Sequence, residues 1–163
     1  MTLKVAPGIQ ITSLTHPIFG LLEHAHCSTV IELENGEILV AYFHAIKEAN
    51  RAQAIYGIRK NPDTGIWSNP YVISKDVSCF RMEGNPVLWR APDTGLLWLF
   101  YITSWGGWST CILRHKISAD QGHTWSKSTK IYPHMSRVSK NKPIMLKNGD
   151  YLLPASVDRK SVV

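Results

Sequence analysis

Apolar residues along this chain come in short runs, about five to eight residues each, separated by Gly, Pro, Asn and Asp, which favours many short strands over a few long helices. Three stretches repeat one pattern of strand, turn and strand: STVIELENGEILVAYF from Ser28, NPVLWRAPDTGLLWLFY from Asn85 and NKPIMLKNGDYLLPAS from Asn141. Asn35-Gly36 and Asn148-Gly149 are two-residue hairpin signals, and Pro92-Asp93-Thr94-Gly95 is a longer turn of the same kind. The turn glycines Gly36, Gly95 and Gly149 lie 59 and 54 residues apart.

A second turn follows the same period. In the octapeptide SADQGHTW at residues 118–125, an aspartate accepts backbone N–H bonds and a glycine is free to take positive φ, while Thr124 and Trp125 are expected to open the next strand. A degenerate copy, Asp63-Thr64-Gly65-Ile66-Trp67, begins its aspartate 57 residues earlier. Further strands lie before and after each of these turns, near Tyr71 and near Thr129.

Four antiparallel strands per repeat of about 55 residues is the pattern of a β-propeller blade. The expected fold is all-β, with blade one over residues 27–73, blade two over 85–132 and an incomplete blade three over 141–155. A propeller closes with roughly 4–8 blades. About two and a half blades would therefore need more of the same chain, or other copies of it. The alternative, a ten-stranded sandwich, leaves the doubled period unexplained.

Composition is that of an ordinary globular chain, 44% apolar and 18% charged. No run approaches the ~20 apolar residues of a membrane-spanning helix, and no membrane partner is expected. The start, MTLKVAPGIQITSLTHP, shows no export signal, which slightly favours an intracellular location unless the natural N-terminus is missing. Cys27, Cys79 and Cys111 are too widely spaced for a disulfide framework or a zinc site. Net charge is +6, and it is uneven: residues 1–80 hold 6 Lys/Arg against 7 Asp/Glu, residues 81–163 hold 12 against 5. The cations are scattered without a dense cluster, which favours a solvated surface or an anionic-ligand site over dedicated nucleic-acid binding, and no nucleic-acid partner is expected.

In up-and-down blades, turns joining strands 1–2 and 3–4 share one face, and the other connections share the opposite one. The tight turns therefore mark a structural face. The chemically richer segments, EHAHC, HAIKEANRA, FRMEGNP, SWGGWST and SRVSKNKP, converge across from it, where a ligand site is expected. Glu48 and Glu83 are the carboxylates there, suited to the acid and base work of glycoside hydrolysis or, equally, to pairing with Lys47, Arg51 or Arg81. His24 and His26 share a strand face and suit a proton shuttle or ordinary hydrogen bonding, with no third ligand to make a metal site. Trp105 and Trp108 flank Gly106-Gly107 and suit stacking on a sugar or packing between blades. Lys140 and Lys142 suit an anionic sugar or plain solvation. The chain has no G-x-S-x-G elbow, P-loop or dinucleotide glycine pattern, and no cofactor is expected.

The octapeptide resembles the Asp-box of sialidases, and with HCSTVIELENGEILVAYF, AIYGIR, the Trp67-Ser68-x-Pro70 turn, GNPVLW, LWLFY and NKPIMLKNGDYLLPAS the chain resembles the N-terminal part of sialidase-like BNR-repeat propellers. That resemblance implies a six-bladed propeller about twice as long, with the site at the central axis on the loop-rich face. It also implies a first-blade arginine, where this chain has His26-Cys27-Ser28, and an acid/base aspartate, where it has Glu48, Ala49, Asn50 and Arg51. Sialic acid specificity is therefore put in doubt. The expectation is a glycoside hydrolase of a glycan, anionic ones included, with Glu48 and His26 catalytic and Arg51, Glu83, Asn85, Trp105, Lys140 and Lys142 binding substrate. The competing reading is a non-catalytic propeller that binds carbohydrate or protein through the same face.

Overall fold

A computed structural model describes residues 24–45, 52–78 and 80–157. Strands β1 (His24–Glu32), β2 (Ile38–Ala45), β3 (Ala54–Lys60) and β4 (Tyr71–Ser74) form one antiparallel sheet in chain order. Strands β5 (Met82–Arg90), β6 (Leu97–Ser104), β7 (Ile112–Ser118) and β8 (Thr129–Lys130) form a second sheet of the same order. A third unit is a broken hairpin: β9 (Arg137–Val138) pairs with β12 (Ser156–Val157), and β10 (Ile144–Met145) pairs with β11 (Tyr151–Leu152). One 3₁₀ turn, Trp108–Thr110, is the only helical element among the described residues. The architecture is all-β, in four-stranded propeller blades.

The local reasons are plain in the sequence. Strands such as ILVAYFHA and LWLFYITS are rich in β-branched and aromatic residues. Gly36, Gly95 and Gly149 all adopt positive φ, 80°, 69° and 89°, and their amides close the turns onto the carbonyls of Leu33, Ala91 and Leu146. No helix among the described residues is long and apolar enough to cross a membrane.

Strand alternation makes the two sides of β6 serve two seams. Leu97, Leu99 and Tyr101 pack with Leu33, Leu39, Ala41 and Ile55 between the first two sheets. Phe100 and Ile102 face the third unit, in clusters that include Val87, Leu113, Val138 and Leu153.

The octapeptide turn fastens the first seam. Asp120 accepts the Thr124 amide at 2.8 Å and the Ser118 hydroxyl at 2.7 Å, while the Ser118 oxygen accepts the Gly122 amide at 2.8 Å. That geometry turns Gln121 (φ 61°) toward the first sheet. Its carbonyl accepts Arg59 Nη2 at 2.7 Å, its side-chain oxygen accepts Arg90 Nη2 at 2.9 Å, and its side-chain nitrogen donates to Glu34 at 2.9 Å. Gly122 (φ 82°) lies so close that a Cβ there would stand 3.2 Å from Arg59 Nη2. The fourth strand of the second sheet begins at Thr129, as its expected place near that residue implies, and Thr124 stays in the turn with its amide on Asp120.

Candidate functional site

The innermost strands carry a recurrent distortion. Register shifts between His26 and Thr29 in β1 and between Gly84 and Val87 in β5, and Cys27 and Asn85 take the left-handed backbone at φ 53° and 48°. Counted from the residue whose carbonyl closes each hairpin turn, Cys27, Asn85 and Lys140 each stand six positions earlier. In the third unit, the pairing breaks over the same stretch, between β9 and β10. A bulge breaks the strand's alternation and re-aims its side chains. Here it brings equivalent segments of three units around one space.

Three cavities with shared walls open on this region, beside another of about 270 Å³ lined by His26, Cys27, Val40, Tyr42 and Ile58. One of about 260 Å³ is walled by Phe43, Met82, Ile102, Trp108 and Cys111, with Gln53, Asn85 and Ser104 as polar groups. A second, of about 330 Å³, lies between the Cys27–Thr29 segment, Asn85 to Val87, and Lys140, Asn141 and Lys142. A third, of about 250 Å³, is lined by Trp108, Val138, Lys140, Ser156 and Val157.

Asn85 is only 4% exposed and Gln53 5%. Gln53 Nε2 donates to the Glu83 carbonyl at 2.9 Å, which leaves its Oε1, and the Asn85 Nδ2, buried without a hydrogen-bond partner among the described residues. A buried amide left unpaired costs about 1–3 kcal/mol. An acceptor and a donor in this state, on one cavity, are groups that a bound ligand can satisfy.

Glu83 has a different setting from the one expected of a loop residue. Strand β5 begins at Met82, so Glu83 sits in a buried strand position, 4% exposed, and lines none of these cavities. Burial raises its carboxyl pKa, opposed by the Ser74 hydroxyl, which leans toward it without reaching regular hydrogen-bond geometry, and by Lys116 and Arg114, while Asp76 adds to the rise. Its backbone bonds to Gln53 in both directions. Glu83 therefore reaches the cavity only through its backbone, whose carbonyl holds the Gln53 amide. Arg81 pairs not with Glu83 but with Asp76, at 3.1 Å.

His26 is exposed and stacked between His24 and Phe43, with ring centroids 5.9 and 5.5 Å away. Trp105 and Trp108 are half exposed, each beneath a cation: Arg81 lies 5.7 Å from the Trp105 centroid and Lys140 lies 5.7 Å from that of Trp108. Lys142 donates to the Val30 carbonyl at 2.7 Å, and partial burial of its ammonium lowers its pKa. Glu48 and Arg51 lie outside the described residues. Three or more His, Cys, Asp or Glu side chains able to hold a metal occur nowhere among the described residues.

Gln53, Phe43, Met82 and Ser104 are site residues that sequence reasoning did not reach. Met82 and Ser104 lie within the loop-rich segments FRMEGNP and SWGGWST, and Phe43 and Gln53 flank HAIKEANRA, but nothing in the sequence singles them out. The six-position offset shared by Cys27, Asn85 and Lys140 needs the turn-closing carbonyls of Leu33, Ala91 and Leu146, which the structure supplies.

Asp76 anchors the Trp105 side of the site. Burial alone would raise its pKa, but hydrogen bonds from Arg81 and Ser78 outweigh it and hold the carboxyl at about 2. A folded-state pKa below the unfolded one gives stability that is present above pH 3.8 and lost as pH falls through about 2. In Asp76→Asn, the urea midpoint is therefore expected to fall less steeply across that window than in the parent protein, and parallel profiles would contradict the assignment.

Four-stranded antiparallel sheets in chain order, with bulged first strands, define a β-propeller fold. The chain belongs to the BNR repeat-like domain family, whose pattern matches residues 36–162. Its fold is similar to that of a Hadza microbial sialidase, at 17% identity and a TM-score of 0.67, covering 82% of this chain and 32% of that one. It is also similar to a family 117 glycoside hydrolase from the marine bacterium Zobellia galactanivorans, at 14% identity and a TM-score of 0.60, over 86% of this chain and 50% of that one. A third likeness is to an α-L-arabinanase of Penicillium chrysogenum complexed with arabinobiose, at 13% identity and a TM-score of 0.57, over 83% and 39% of the two chains. The chain thus spans between about a third and a half of each of these structures. No curated protein matches it.

Proposed function

We propose that this chain contributes the first blades of a sialidase-like glycoside hydrolase, acting on a glycan that can be anionic. The observation that carries the reading is the 260 Å³ cavity, where an exposed tryptophan wall meets a buried amide acceptor on Gln53 and a buried amide donor on Asn85. A pyranose ring offers the matching chemistry: C–H faces for Trp108 and Phe43, and paired hydroxyl or acylamino groups for the two amides. The family membership and the glycan-acting proteins with the same fold support the same class.

In this reading Glu48 does acid/base work, helped by His26, while Asn85, Trp105, Arg51, Lys140 and Lys142 hold substrate and Glu83 positions Gln53. Further blades supply the remaining catalytic groups. Hydrolysis of a glycan panel by the protein in its full natural length is expected to fall at least about tenfold in Glu48→Gln. An unchanged rate removes Glu48 from the mechanism.

A second reading, a non-catalytic propeller that binds carbohydrate, is favoured by one fact: no Asp or Glu lines any of the three cavities among the described residues. Binding to the panel with no turnover of any member selects it.

A further inference from the structure

The three cavities share their walls. Asn85 belongs to the first and second, Lys140 to the second and third, and Trp108 to the first and third. The first cavity touches both of the complete sheets, through Phe43 and Gln53 on one side and Met82, Ile102 and Ser104 on the other. The third lies between the second sheet and the third unit, where Trp108 faces Val138, Ser156 and Val157. Two compartments on consecutive seams are thus divided by one tryptophan. Each is smaller than the roughly 300–1,000 Å³ of a drug-sized pocket, which suits one sugar ring and not a chain.

Their chemistry differs. The described lining of the first compartment contains no charged residue at all. Its polar requirement is uncharged, the Gln53 acceptor and the Asn85 donor. The third compartment has Lys140, whose ammonium stands 5.7 Å from the Trp108 centroid on the dividing wall, together with the Ser156 hydroxyl. An anionic group placed in the first compartment would meet no cation among its described lining residues, so nothing there would offset its lost hydration. The same group one ring further on would meet Lys140.

We infer that the site takes an acidic oligosaccharide across Trp108, with an uncharged ring in the Gln53–Asn85 compartment and the anionic group on the neighbouring ring, beside Lys140. This rests on the carbohydrate reading above and sharpens it. It separates the charge from the ring that fills the apolar compartment, unlike a sialic acid, which carries carboxylate and acylamino group on one ring.

The test is isothermal titration calorimetry of the full chain with three probes: N-acetylneuraminic acid, the neutral disaccharide N,N′-diacetylchitobiose, and a hyaluronan tetrasaccharide, in which uronate and acetamido rings alternate. Hyaluronan is expected to bind about three- to fivefold more tightly than chitobiose, the size of one partly exposed ion pair. Lys140→Ala should erase that margin, bringing hyaluronan affinity down to that of chitobiose in the same variant, while Lys130→Ala, on β8, should leave the margin as it is. Trp108→Ala should weaken binding of both chitobiose and the hyaluronan tetrasaccharide.

Three results overturn the inference and leave the carbohydrate reading standing. These are N-acetylneuraminic acid binding as tightly as the tetrasaccharide, equal affinity for the neutral and acidic oligosaccharides, or an equal loss in Lys130→Ala and Lys140→Ala. Failure of all three probes to bind a chain that retains its β-sheet circular dichroism overturns the carbohydrate reading as well. Loss of hydrolysis alone touches neither binding result.

Discussion

Arg59→Ala is expected to destabilise the protein by about 3 kcal/mol, the cost of removing one partner of a largely buried charge pair. For a domain of this size, that is a fall of roughly 6–12 °C in melting temperature. Arg59 is 9% exposed and spends its guanidinium on three neighbours: Glu37 at 2.9 Å, the Tyr71 hydroxyl at 3.0 Å and the Gln121 carbonyl at 2.7 Å. The first two lie in the first sheet's own turn and outer strand, and the third lies in the octapeptide of the second sheet. Alanine would therefore leave a carboxylate half-buried without its cation and a carbonyl at the seam without its donor. A double-mutant cycle with Glu37→Gln separates the two losses, because only the Glu37 share should disappear in the double variant. A melting temperature within 2 °C of the parent would show that the seam does not depend on this contact; that threshold is roughly the shift of 0.5–1 kcal/mol.

The second large effect is expected at Leu99. Its side chain is fully buried, at 0% exposure, in the apolar cluster that joins the first two sheets. Leu99→Ala removes three carbons from a packed seam and leaves a cavity, for which core leucines cost about 2–5 kcal/mol. Both partner sheets are held by several strands and a clamped turn, so the seam has little freedom to collapse, and the expected loss lies near the middle, about 3–4 kcal/mol. Ile144, 57% exposed on the third unit, is the control. Ile144→Ala should change stability by no more than roughly 0.5 kcal/mol, as exposed substitutions do. Chemical denaturation of both variants decides the matter: equal losses would mean that the seam is not the stabilising core.

The strand-rich character of the chain was legible because it depends on local patterns. Hairpin glycines need a backbone conformation that few other residues tolerate, so Gly36, Gly95 and Gly149 announce their turns wherever they stand. The octapeptide was legible for the same reason. Its internal bonds, Asp120 to Thr124 and Ser118 to Gly122, join residues four apart and require nothing from the rest of the chain. The loop-rich end was also deducible, since up-and-down connectivity places alternate turns on opposite ends.

The site was legible only in part. Asn85, Lys140 and Lys142 were named from their positions near the expected inner end, and they do border shared cavities. Glu83 was named on its charge and lines none of them, because strand β5 starts earlier than its Gly-Asn-Pro sequence suggests and turns that side chain into the seam. Gln53 could not be singled out at all. Its role comes from a bond to a backbone carbonyl 30 residues away, and nothing in a one-dimensional pattern records it. The function of the octapeptide changed in the same way: a turn that looks self-contained proves to be the clamp on Arg59 and Glu34 through Gln121, 62 and 87 residues distant.

The sequence by itself determined that this protein is built of repeated antiparallel four-strand units with marked turns, since alternation, turn chemistry and period are short-range properties. Only the tertiary structure decided which seam each side of a strand fills, where the inner-strand bulges point, and which polar groups are buried without partners. Those depend on contacts between units, where burial and charge pairing are settled by residues that meet in space and not along the chain.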